Sequence, residues 1–143
     1  MKLRLVTVGK PKLTYAAAGW SEYLQRLQRL HQVHVIHLAD KYAYDTTRIL
    51  EQTAKTTLVV LEIQGKQYSS EQLADFLQKR ELESKEVSFL IGGPEGLPDV
   101  VRQAADYQWS LGPLTLPHDL AMVIALEALY RASTINAGLP YHK

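Results

Sequence analysis

The residues of this chain best equipped for chemistry fall in three places. The first is a glycine-rich turn, Leu90-Ile91-Gly92-Gly93-Pro94-Glu95-Gly96, in which Glu95 is the one charged group. A carboxylate there either exchanges protons with a substrate or caps the helix that follows. Glycine has no Cβ, so its backbone can approach a ligand closely and can adopt positive φ. The second is Trp109-Ser110-Leu111-Gly112-Pro113-Leu114-Thr115-Leu116-Pro117-His118. Two prolines and a glycine stiffen it, and its leucines alternate with small or polar residues. An apolar loop of fixed shape suits a flat aromatic ligand held by backbone N–H and C=O groups. The third is the tail Pro140-Tyr141-His142-Lys143, with a phenol, an imidazole and an ammonium in succession. Within it His142 is the group able to exchange a proton near neutral pH.

Other chemistries are disfavoured. The glycines match neither G-x-G-x-x-G nor the P-loop pattern, and no G-x-S-x-G elbow is present. The absence of cysteine removes disulfides, thiolate catalysis and cysteine-ligated zinc. His31, His34 and His37 have the spacing of a helical metal face. Their surroundings, Val33-His34-Val35-Ile36-His37-Leu38, are β-branched, and a strand sends His34 and His37 to opposite faces. No metal site is expected.

Each chemical segment needs an element to hold it. Strand-like runs cover Lys2–Val8, Val33–Leu38, Thr57–Ile63, Val87–Ile91 and Tyr107–Ser110. Helix-like runs cover Tyr15–Leu30, Thr46–Lys55, Ser70–Arg80, Leu97–Ala105 and Asp119–Ala137. This alternation predicts an α/β fold, a mostly parallel sheet with helices on both faces. In such sheets ligands sit at the carboxyl edge of the strands. The glycine turn, the apolar loop and the end of the third strand at Leu61-Glu62-Ile63-Gln64-Gly65 would meet there. Leu120, Met122, Val123, Ile124, Leu126, Leu129, Tyr130 and Ile135 surround most of the last helix. A helix apolar nearly all round needs burial on most sides, which predicts a homodimer interface. The tail follows that helix directly and is placed to reach a neighbouring subunit's pocket.

The 143 residues fit a single domain spanning 1–143, with 46% hydrophobic and 22% charged residues. No apolar run approaches a membrane span, and the N-terminus reads as a first strand rather than a signal peptide. A cytoplasmic location is the expectation. Net charge is only +1, yet residues 1–50 carry eight Lys/Arg against three Asp/Glu. A basic N-terminal third can form a footprint for nucleic-acid phosphates.

Taken together these segments resemble the RlmH family of ribosomal RNA large subunit methyltransferases, within the SPOUT superfamily. The resemblance is carried by Val6-Thr7-Val8-Gly9-Lys10, Glu22-Tyr23-Leu24-Gln25-Arg26-Leu27, Leu61 with Gly65-Lys66, and the glycine turn. It continues through Trp109-Ser110-Leu111, Leu114-Thr115-Leu116-Pro117-His118, Leu129-Tyr130-Arg131-Ala132 and the tail. The resemblance implies a C-terminal trefoil knot, a homodimer and S-adenosylmethionine as methyl donor. It also implies N3-methylation of a pseudouridine in 23S rRNA on the assembled ribosome. Carried over by position, the cofactor contacts are Leu61, Gly92, Leu111, Gly112, Pro113, Leu114, Thr115 and Leu116. Tyr141 and His142 then lie near the accepting base, in the partner's pocket. His142 is the expected general base, Glu95 its rival, and Lys10, Lys12, Arg26 and Arg29 the expected phosphate contacts. One position departs from the family: Met122 stands where an arginine is common. That departure leaves a non-catalytic RNA- or ribosome-binding dimer as the alternative.

Overall fold

The computed structural model describes residues 1–143. Five strands alternate with helices: β1 (Lys2–Val8), β2 (Gln32–Leu38), β3 (Thr57–Gln67), β4 (Val87–Ile91) and β5 (Tyr107–Ser110). The helices are α1 (Thr14–Gln28), α2 (Thr46–Gln52), α3 (Ser70–Leu82), α4 (Asp99–Ala104) and α5 (His118–Ala137), with a short 3-10 turn at Asp40–Tyr42. The sheet runs in the order β2-β1-β4-β3-β5, and every pair in it is parallel.

Strand alternation divides the core between two faces. Leu3, Leu5, Val59, Val87 and Phe89 point to one side, where Trp20 and Leu27 of α1, Leu73 and Leu77 of α3, and Met122, Leu126 and Leu129 of α5 cover them. Val6, Val8, Leu58, Val60 and Leu90 point to the other, against Ile49 of α2 and Val101 of α4. β4 is central and buried along its whole length; four of its five residues are apolar, and the buried Ser88 hydroxyl meets Thr56 at 2.7 Å.

Boundaries shift where local chemistry decides. β3 continues past Ile63 to Gln67, because after a register jump between Leu61 and Lys66 it pairs again with β5. Gly65 permits the crossing, since a Cβ there would meet the Gln108 carbonyl oxygen at 2.6 Å. α2 stops at Gln52 rather than Lys55, and Lys55 adopts φ +63. α3 starts on a full capping box between Ser69 and Gln72.

α5 departs from the expectation of burial around its circumference. Its buried stripe of Met122, Ala125, Leu126, Leu129 and Ala132 faces the sheet between α1 and α3. Leu120, Val123, Ile124 and Ala128 remain partly exposed. Met122 is fully buried in the core, so the family departure falls on a packing position. No helix is long and apolar enough to cross a membrane.

Candidate active site

At the carboxyl ends of β3, β4 and β5 lies a cleft of about 510 Å³. One wall is Ile91–Gly96, a second is Leu61–Ile63, and a third is the segment from Leu111 through His118. Trp109 closes its floor and is 3% exposed.

The glycine turn owes its shape to contacts within the protein. Gly96 N–H donates to Gly93 O at 2.9 Å, closing the loop around Pro94 and Glu95, and Gly96 takes φ +85. Gly92 is buried, and a Cβ on it would strike Leu97 Cγ at 2.8 Å and the Gly96 carbonyl carbon at 2.9 Å. Glycine at 92 is thus demanded by the turn folding back on itself. Glu95 is not a helix cap. Pro98 occupies the N-cap of α4 without a side-chain bond, while Glu95 accepts a hydrogen bond from the Tyr44 hydroxyl. That bond raises the Tyr44 phenol above its ordinary pKa.

The opposite loop hangs on Ser110. Its hydroxyl lies 2.8 Å from Ile63 O, 3.1 Å from Gly112 O and 3.0 Å from Gly112 N, tying the 111–116 loop to β3. Gly112 sits at φ +126. Leu61, Gly92, Leu111, Gly112, Leu114, Thr115 and Leu116 all line the cleft; Pro113 is exposed and does not. Glu95 also lines it.

Three lining side chains received no role from the sequence. His118 Nε2 lies 3.0 Å from the Val8 carbonyl oxygen and donates to it, which fixes the ring against the end of β1. Its signal was its place as the last residue of the apolar loop. Glu62 and Arg102 face each other across 3.8 Å, and Arg102 also donates to Leu97 O at 3.0 Å. Nothing local marks them, because the pairing joins β3 to α4. Asp119, one residue into α5, is 8% exposed and accepts from the backbone N–H groups of Lys12 and Leu13. It fastens the β1–α1 loop to the start of α5.

The tail lies elsewhere in the protomer. Tyr141 donates to Glu127 Oε1 at 3.0 Å, its hydroxyl oxygen lies 3.3 Å from the Tyr23 hydroxyl, and its ring packs edge-on against Tyr130. Burial first, then these two partners, raises its phenol pKa. His142 meets Glu71 at 2.9 Å and Arg131 at 3.3 Å. The tail follows α5 at Gly138, whereas the cleft lies at the first residue of that 20-residue helix. At 1.5 Å per residue the two ends are about 30 Å apart.

The four basic residues split between the same two ends. Lys10 is exposed at the carboxyl edge, and Lys12 beside it pairs with Asp40 at 2.8 Å. Arg26 and Arg29 sit at the far end of α1. Arg26 bridges to Glu22 at 2.7 Å and lies over the Tyr23 and Tyr130 rings, and Arg29 caps the helix. The three N-terminal histidines form no cluster. His31 joins Ser133 and the N-terminus, His34 is exposed, and His37 meets Thr7 at 2.5 Å.

Comparison with known proteins follows this geometry closely in extent. The family model described as predicted SPOUT methyltransferase matches residues 1–142. A ribosomal RNA large subunit methyltransferase H of Deinococcus radiodurans is 50% identical, the match covering 100% of this chain and 99% of the relative. The proteins of the same name from Deinococcus deserti and Pseudomonas fluorescens are 48% and 40% identical, covering both chains fully. Among solved structures, a probable methylase family protein from Haemophilus influenzae superposes with a TM-score of 0.59 at 10% identity. That match covers 99% of this chain and 70% of the other, and it speaks to the fold alone.

Proposed function

This chain belongs to the SPOUT methyltransferase family, and on that premise we propose that it methylates N3 of a pseudouridine in 23S rRNA of the assembled ribosome, with S-adenosylmethionine as donor. The observation that carries the reading is the cleft itself, where Leu61, Gly92 and the 111–116 loop come together from three separate parts of the chain. The cleft fits the donor chemically. Apolar side chains and Trp109 offer surface to an adenine, and the bent loops at Gly92 and Gly112 present backbone polar groups to its edge. When bound, S-adenosylmethionine supplies an electrophilic methyl group on a sulfonium.

The chain's own residues then have three tasks. The loop walls would hold the donor and orient it toward the accepting nitrogen, and positioning of this kind supplies most of the acceleration. Trp109 and the leucines exclude water from the reacting atoms. A base would take the N3 proton, freeing that nitrogen's electron pair for the methyl group that the bound donor would supply. The partner subunit's His142 is assigned that proton, with Tyr141 beside it. Within one protomer these residues stand a helix length from the cleft, so a homodimer must bring them to it. Support for that dimer comes from the partly exposed Leu120 and Ile124 of α5 and from Leu13 and Tyr15, each 54% exposed. Arg26 lies beside Tyr23 and therefore accompanies the tail. With Arg29 it would meet rRNA phosphates from one protomer, while Lys10 and Lys12 meet them from the other. The C-terminal knot belongs to the same reading, supported by the family match over 1–142.

The deciding experiment is mass spectrometry of 23S rRNA from cells with and without the gene, together with methylation of ribosomes in vitro by the purified protein. Loss of one N3-methylpseudouridine in the deletion, restored by the protein, is the expected result. An unchanged modification profile overturns the assignment.

A further inference from the structure

The sheet order divides the carboxyl edge into two halves. The cleft occupies the β4-β3-β5 half, and the loops after β1 and β2 occupy the other, with the glycine turn between them. The loop after β2, from Asp40 to Asp45, lies against that turn. A Cβ on Gly93 would lie 3.9 Å from Ala43, and the Tyr44 hydroxyl reaches across to Glu95. Tyr44 is the most exposed aromatic of the molecule's large apolar side chains, at 63%. Beside it the Arg48 guanidinium lies 4.0 Å from the Tyr42 ring centroid, with Lys41 over the same ring at 5.1 Å. Acidic neighbours neutralise part of this surface: Asp40 holds Lys12, and Asp45 both caps α2 and approaches Arg48 at 3.6 Å. Lys10 and Lys41 carry no ion pair.

An exposed aromatic ring, a guanidinium stacked on a second ring and unpaired ammonium groups on the neighbouring β1 and β2 loops are what a single-stranded nucleic acid binds, bases on the rings and phosphates on the cations. The glycine turn fixes where that strand would run. A base entering the cleft over Glu95 leaves its neighbours on the chain over Tyr44. We propose that the β2–α2 segment is a docking ledge for single-stranded rRNA. In it Tyr44 stacks the nucleotide next to the methyl acceptor, and Lys10 and Lys41 take the flanking phosphates. The proposal rests on the rRNA methyltransferase reading above and adds to it the surface that holds the substrate strand. The Glu95 bond ties the Tyr44 hydroxyl to the glycine turn, while the residue remains 63% exposed.

The test measures ribosome binding and methylation separately for the full-length protein and for Tyr44→Ala, Tyr44→Phe and Lys41→Ala. Losing one base–aromatic stack should weaken binding to ribosomes and raise KM for them by about 5- to 100-fold in Tyr44→Ala. Tyr44→Phe, which keeps the ring and loses the hydroxyl, should stay within about threefold of the parent, because stacking needs only the π-face. S-adenosylmethionine affinity should be unchanged in all three variants, and Lys41→Ala should flatten the salt dependence of binding by about 0.7 in log–log slope. Unchanged ribosome affinity in Tyr44→Ala overturns the ledge. So does a Tyr44→Phe as weak as Tyr44→Ala, which would make Tyr44 a strut for Glu95. If the parent binds ribosomes without methylating them, the activity fails while the same binding comparison still decides the ledge. If the parent does not bind ribosomal particles at all, both readings fall.

Discussion

Glu127 holds Tyr141 at 3.0 Å and Arg131 at 2.7 Å through the same carboxylate oxygen, so one side chain of α5 clips the C-terminal tail to the helix that precedes it. Arg131 in turn reaches His142. The tail is thus an ordered extension of α5.

His142→Ala should leave S-adenosylmethionine affinity close to that of the parent while lowering single-turnover methylation about 10²- to 10⁴-fold, the span of a lost general base. A Leu61→Arg variant, blocked in the cleft, should be inactive for the opposite reason. Mixed dimers of these two inactive chains should regain turnover, because one site then combines an intact cleft with an intact tail. Mixtures that stay dead would show that each protomer relies on its own tail.

Gly92→Ala should destabilise the protein by about 1–3 kcal/mol, as overpacking does, because the new methyl meets both Leu97 and the Gly96 backbone. Cofactor affinity should drop with it, since the turn must open to admit the methyl. Gly96→Ala is the control: its Cβ enters open space, and only the φ of +85 opposes it, at about 1 kcal/mol. Urea unfolding and calorimetric titration give both quantities; equal effects at the two positions would contradict the packing argument.

His31 is pushed down to about 4, first by burial and then by the N-terminal ammonium beside it. A folded-state pKa below the unfolded one means the unfolded chain takes up the proton first as pH falls. This contribution is therefore intact above about pH 6.5 and lost between about 6.5 and 4. Allowing for solvent screening of its exposed part, the loss should be about 1–2 kcal/mol. Denaturation at pH 7.5 and 4.5 should show a smaller stability drop in His31→Gln than in the parent. Parallel pH dependences would refute the coupling.

Lys10→Ala should lower the slope of log affinity against log salt for ribosome binding by about 0.7–0.9, one phosphate contact. Lys12→Ala should do less, because Asp40 already engages that ammonium at 2.8 Å and raises its pKa. Salt titrations of both variants against the parent check the order; a larger effect at Lys12 would reverse it.

The sequence displayed the sheet plainly, and for a physical reason. Val87–Ile91 is apolar but for the buried Ser88 because both of its faces are covered, and Lys2–Val8 sends Leu3 and Leu5 into one core and Val6 and Val8 into the other. The end of β3 stayed hidden because Gln64-Gly65-Lys66-Gln67 has no apolar alternation and is strand only through its renewed pairing with β5. Within the cleft, Gly92 and the 111–116 loop were readable from glycine, proline and leucine placement. The Tyr44–Glu95 bond, the Glu62–Arg102 pair and the Glu127 clip were not. Each joins residues from different elements, and no local pattern records which loops the fold brings side by side. Glu95 illustrates the point: its sequence position leaves it either a proton-exchanging group or a helix cap, and the structure removes the cap and joins it to Tyr44.

The glycine turn is a single piece of backbone with the cleft on one side and, through Glu95 and Tyr44, the β2–α2 loop on the other. If donor and strand both touch this partition, the coupling between their affinities is a single thermodynamic quantity. Whatever factor the donor imposes on strand binding by settling this turn, the strand must impose on donor binding, since the free energy around the cycle closes. The coupling would then be read at seven residues, Leu90 to Gly96, and would be the same whichever ligand bound first.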